Sequence, residues 1–86
     1  MYKKEIKEKL DRELQKLEKR NPELIKALDR KIEEILANPY HYKPLKWPMQ
    51  NKRRVHLGKY VLVFQINEAE ETVEFLRFKH HDEAYL

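Results

Sequence analysis

Four imidazoles, at His41, His56, His80 and His81, are the side chains of this sequence best suited to moving protons near neutral pH. One of them lies in the run Lys52-Arg53-Arg54-Val55-His56. On an extended strand side chains alternate, so Lys52, Arg54 and His56 share one face while Arg53 and Val55 take the other. A guanidinium two positions before an imidazole can hold a phosphate beside a proton carrier. A second constellation closes the sequence, His80-His81-Asp82-Glu83-Ala84-Tyr85. If that tail returns to the strand, one imidazole of His80-His81 and the phenol of Tyr85 join Arg54 and His56 in one set. Cleavage of an RNA phosphodiester needs such a set: a base for the 2′-hydroxyl, an acid for the leaving 5′-oxygen, and cations for the charge on the phosphorane. That chemistry requires no metal and no cofactor.

Each residue also has a plainer reading. A lone histidine on a strand is most often a surface or core polar group. Tyr85 by default anchors a core while its hydroxyl stays wet. Trp47 and Tyr42 can stack on bases or plug a sheet edge. Zinc held by His56, His80 and His81 is conceivable, but adjacent histidines diverge on an extended chain, and with no cysteine a structural metal is not expected.

Charge distribution favours the phosphate reading. The chain is +4 overall, yet residues 39–67 carry Lys43, Lys46, Lys52, Arg53, Arg54 and Lys59 and no acid. The 19 residues that follow are net acidic, and the first 38 nearly balance. An acid-free basic segment is the footprint of a surface that meets phosphates; a merely solvated lysine-rich loop is the alternative.

The remaining composition bounds the class. Eighty-six residues suit one domain, 1–86, with a modest core. Absence of cysteine excludes disulfides and thiolate metal sites. No apolar run is long enough for a membrane span or a signal peptide, so a soluble, cytoplasmic protein is expected.

The elements that must position the site follow from periodicity. Ile6, Leu10, Leu14 and Leu17 recur at helical spacing, and Glu5–Lys9 and Glu8–Arg12 are favourable helix pairs, which predicts a first helix from about Lys3 to Lys19. Asn21-Pro22-Glu23 restarts a helix, and Leu24, Ile25, Leu28, Ile32, Ile35 and Leu36 give it a wide apolar stripe up to Asn38-Pro39. The two make an antiparallel hairpin over about 3–37. An ordered aromatic, basic connector, Tyr40 to Asn51, then leads into strands at 52–57, 60–67 and 72–79. Short turns predict an antiparallel meander with the middle strand central. The fold class is α+β: a helix hairpin packed on a three- to four-stranded antiparallel sheet.

The order of these pieces carries a resemblance. Arg53-Arg54-Val55-His56-Leu57-Gly58-Lys59-Tyr60-Val61-Leu62-Val63-Phe64, followed by Phe75-Leu76-Arg77-Phe78-Lys79-His80-His81-Asp82-Glu83-Ala84-Tyr85, resembles toxins of the RelE/ParE superfamily. In these a basic strand, a "G-x-Y" turn, a hydrophobic strand and a terminal "H-x-x-x-Y/F" follow a helix hairpin. The likeness spans nearly the whole chain and looks nearest to the YafQ-like branch and its archaeal relatives. It implies that His56 matches the strand histidine, His81 the terminal catalytic histidine, Tyr85 the closing aromatic and Arg54 a position often basic. Lys43, before Pro44-Leu45, stands where the YafQ-like branch has a further functional histidine. Lys59 replaces an acid beside the turn aromatic. Val61 stands where many RelE toxins have Arg, so Arg53 or Arg77 must supply that cation if it is supplied at all. The first strand usual in the family is not evident before Ile6.

The resemblance further implies an mRNA interferase, a metal-independent endoribonuclease acting in the ribosomal A site and inhibiting translation. It would leave a 2′,3′-cyclic phosphate or 3′-phosphate and a 5′-hydroxyl. It would be neutralised by a cognate acidic antitoxin in a hetero-oligomer, and Lys43, Lys46, Lys52, Arg53, Lys59 and Arg77 would grip RNA phosphates. Two other readings keep the fold: a ParE-like gyrase poison, which the His80-His81 pair counts against, and a degenerate module that only binds antitoxin or nucleic acid.

Overall fold

The computed structural model describes residues 1–84. Its elements run β1 (Lys3–Ile6), α1 (Glu8–Arg20), α2 (Pro22–Ala37), a 3-10 turn (Pro39–His41), β2 (Lys52–Leu57), β3 (Tyr60–Asn67), β4 (Thr72–His80) and α3 (His81–Ala84). α1 and α2 pack as a hairpin on one face of a four-stranded sheet ordered β1-β4-β3-β2, an α+β fold.

The strands form where β-branched and aromatic residues concentrate. β2 and β3 pair antiparallel from Lys52↔Gln65 to Leu57↔Tyr60, leaving a two-residue loop. Gly58 takes its first central position at φ +59°, the conformation a hairpin turn of the II′ kind demands there and one that a side chain would strain. β3 and β4 pair antiparallel with a register shift at Val63/Phe64, so that Val63 faces Arg77 and Phe64 faces Phe75. The extra residue, Leu76, is the mark of a bulge.

Two expectations are corrected. The segment at Lys3–Ile6 is a strand rather than the start of the first helix, and it pairs parallel to β4, from Lys3↔Thr72 to Ile6↔Phe75. The sheet is therefore mixed, not wholly antiparallel. The physical cause is non-local: Lys3 N–H donates to Glu71 O (2.9 Å) and Lys7 N–H to Phe75 O (3.1 Å), so the β4 edge claims this backbone before a helix can. Glu5 consequently bonds Lys7 (3.2 Å), whereas Glu8 and Arg12 form the expected pair one turn apart at 3.5 Å.

α2 begins where Asn21 Oδ1 accepts the Leu24 N–H at 3.2 Å, with Pro22 in the first turn. Its stripe of Ile25, Leu28, Ile32, Ile35 and Leu36, joined by Leu10 of α1, meets Leu62, Phe64, Val73, Phe75 and Phe78 of the sheet. Phe64 and Phe75, both fully buried, meet at 5.9 Å, and Tyr42 stands edge-on to Phe64 at 5.9 Å. Alternation then sends Arg54 and His56 of β2 and Val61 and Val63 of β3 to the face that the helix hairpin leaves uncovered.

Candidate active site

On that uncovered face the pairings Arg54↔Val63↔Arg77 and His56↔Val61↔Lys79 define two cross-strand rows. Directly opposed residues share a face. Arg54, His56 and Arg77 thus project together, with all three side chains exposed. Val61, directly opposite His56, is only 1% exposed, although it lies outside the helix-side core. α3 packs against β3 and β4, and its first residue is tied down by a hydrogen bond from His81 N–H to Lys59 O at 2.6 Å.

That tie brings the two constellations together. The His56 and His81 rings lie 6.1 Å apart, centroid to centroid, inclined by 36°. The Asp82 carboxylate sits 3.8 Å from His81 Nδ1 and 3.7 Å from His80 Nδ1. His80 takes the other direction: its ring meets the edge of Tyr60 at 5.6 Å, and it lines a groove with Glu13, Lys16 and Arg20 of α1. Of the histidine pair, only His81 faces His56. Tyr85 lies outside the described residues.

The predicted cations divide. Arg54 lines a groove of about 530 Å³ with Lys43, Pro44, Leu45 and Lys46. The connector reaches that position because Pro44 bridges to Arg53, Leu45 N–H donates to Lys52 O (2.8 Å), and Lys52 N–H donates to Met49 O (2.9 Å). Arg53 is not brought there. Its guanidinium donates to the Tyr42 carbonyl and lies over the Tyr40 ring, 5.1 Å from the centroid. Lys52 begins a separate row, Lys52↔Gln65↔Glu74, in which Gln65 Nε2 donates to Glu74 Oε1 at 2.6 Å. Lys59 is exposed in the β2–β3 turn, where its carbonyl holds His81.

Sequence reasoning missed what fastens the connector from behind. Glu68, in the β3–β4 turn, accepts hydrogen bonds from Tyr2 (2.8 Å) and Tyr40, whose rings meet edge-on at 6.3 Å. These two phenols hold the Glu68 carboxyl below its usual range. In return the hydrogen bond to Glu68, then desolvation, raise both tyrosines above the ordinary phenol value. The three residues are far apart in the chain, and no local pattern announces them.

With this geometry in hand, the chain can be set beside known proteins. The family described as ParE toxin of type II toxin-antitoxin system, parDE, matches residues 2–85. The chain belongs to the RelE/ParE toxin superfamily. It is a toxin of the type II toxin-antitoxin class. A Methanocaldococcus jannaschii protein provisionally named toxin RelE4 is 49% identical to this RelE/ParE toxin over 86 residues, covering 99% of this chain and 92% of the relative. The isolated E. coli RelE toxin shares its fold at a TM-score of 0.80 and 22% identity, over 99% of this chain and 92% of that one. The RelBE2 toxin-antitoxin complex of Mycobacterium tuberculosis contains a chain similar to this toxin at a TM-score of 0.74 and 25% identity, over 92% and 96%. In the described part of this toxin no helix is long and apolar enough to cross a membrane.

Proposed function

We propose that this toxin is an endoribonuclease that cuts mRNA in the ribosomal A site and so inhibits translation in the cytoplasm. The observation that carries the reading is the approach of the His56 and His81 rings to 6.1 Å on the exposed face that also bears Arg54. A single phosphodiester fits between two imidazoles at such a separation. One removes the proton of the 2′-hydroxyl, whose oxygen attacks phosphorus; the other protonates the departing 5′-oxygen, leaving a 2′,3′-cyclic phosphate and a 5′-hydroxyl. Two imidazoles complete this proton inventory without a metal. Arg54 and Lys43 bind the phosphate and offset its growing charge. Arg77, in the same cross-strand row as Arg54, supplies the cation that Val61 does not; Lys46, Lys52 and Lys59 extend the grip along the strand, and Tyr85 orients substrate.

The acid-free segment 39–67 also suits an acidic antitoxin that wraps the toxin and silences it in a hetero-oligomer, and a similar chain is found in a toxin-antitoxin complex. Translation-dependent mRNA cleavage by wild type and His81→Ala tests the nuclease: equal cutting by both sinks it. A gyrase-directed reading is favoured by one observation, the match to a family described as ParE. A supercoiling assay with the purified chain separates the two.

A further inference from the structure

We infer that Trp47 is a stacking platform for a base of single-stranded RNA, carried next to Lys46, which with Lys43 and Arg54 lines a groove; the inference rests on RNA being the substrate. Trp47 is 81% exposed, the most exposed aromatic among the described residues. Its neighbours in the connector are committed elsewhere. Tyr42 packs on Phe64, and Tyr40 bonds Glu68 beneath the Arg53 guanidinium. Trp47 instead occupies the tip of a tight turn closed by Met49 N–H to Lys46 O (2.9 Å) and held at its base by the Leu45–Lys52 hydrogen bond. An indole presented on a fixed turn forgoes burial within its own chain, and beside it the partly exposed Met49 widens the apolar surface.

Charge decides the occupant. Lys46 precedes Trp47 and lines the groove together with Lys43 and Arg54. No acid interrupts residues 39–67. Cations lining a groove, one of them followed directly in the chain by an exposed indole, suit a single strand, for which stacking and backbone charge supply affinity without a sequence requirement. A phosphate at Arg54 directs a neighbouring nucleotide along Lys43 and Lys46, and its base reaches the indole.

Trp47 is the one tryptophan of the chain, so its emission reports this position alone. The full chain is titrated with a short 2′-O-methyl RNA, which lacks the attacking hydroxyl and survives, and with an abasic ribose-phosphate strand of equal length. Affinity is read separately from the anisotropy of a labelled strand. The inference predicts quenching by the RNA and none by the abasic strand. It also predicts affinity about tenfold weaker for Trp47→Ala and largely restored by Trp47→Phe. An exposed side chain can be removed without unfolding the chain, and circular dichroism verifies it. Binding with unchanged emission and no loss in Trp47→Ala overturns the inference, as does failure of the RNA to bind at low salt. Quenching by an acidic peptide but not by RNA also overturns it and gives the surface to a protein partner. Unaltered Trp47→Ala affinity alongside intact mRNA cutting removes only the platform; quenching without cutting removes only the nuclease.

Discussion

Arg53 and Arg54 are neighbours in the chain and turn to opposite faces of the sheet: Arg53 fastens Tyr42 and Tyr40, while Arg54 opens onto the lysine-lined groove. Two substitutions of identical chemistry therefore separate. Arg54→Ala is expected to weaken single-stranded RNA binding and to flatten the slope of log affinity against log salt by about 0.7, the share of one phosphate that is no longer neutralised. Arg53→Ala should leave that slope nearly intact and cost about 1–2 kcal/mol of stability, the worth of a charge-assisted hydrogen bond in a partly buried setting. Salt titrations and urea midpoints on both variants check the division.

Removing either imidazole is expected to lower cleavage by about 10²- to 10⁴-fold, the usual contribution of one positioned proton-transfer group. His80→Ala, whose ring turns towards Tyr60, should lose far less. Single-turnover cutting of translated mRNA by His56→Ala, His80→Ala and His81→Ala gives the comparison; a His80→Ala defect equal to that of His81→Ala would contradict the assignment.

The tether between Tyr2, Tyr40 and Glu68 gives stability a definite pH signature. The folded state lowers the Glu68 value, so this contribution is present above the ordinary carboxylate range and is lost as pH falls through the lowered value. The folded state raises both tyrosines above 10.0, so their contribution is whole below that pH and is lost as pH climbs through the raised values. Glu68→Gln is expected to shallow the acid limb of a stability–pH curve measured by urea denaturation. Tyr2→Phe and Tyr40→Phe should each shallow the alkaline limb.

In the core, Phe64 is fully buried and touched by both Phe75 and Tyr42. Phe64→Ala is expected to destabilise by about 3–5 kcal/mol. Because Tyr42 leads into Lys43, removal of the ring should also loosen the groove. Thermal melts report the first effect, and weaker RNA binding below the melting range reports the second.

What could be read from the residues was whatever local chemistry dictates. β3 was legible through a β-branched and aromatic run apolar on both faces, β2 through the Gly58 turn that closes it, and α2 through Asn21-Pro22 and Asn38-Pro39, since each signal lies within or beside its own element. β1 was not: its apolar content is little more than Ile6, and its existence depends on backbone bonds to Leu36, Glu71 and Phe75, which no side-chain pattern encodes. At the candidate site, strand alternation separated Arg53 from Arg54 and His56, a distinction that disappears when all cations of the segment are pooled. The choice of His81 over His80 came from the family resemblance, because alternation along a tail of unknown path cannot make it. Arg77 shares the face of Arg54 through the bulge at Val63/Phe64, and a bulge leaves no reliable trace in composition.

The strand at the beginning of the chain closes its ladder against one near the end, Lys3 with Thr72 and Ile6 with Phe75. During synthesis that closure must wait for β4, because the backbone partners of β1 all lie on segments made later. Until β4 is in place β1 has no sheet to join, and His81, which follows β4 directly, is not carried to His56.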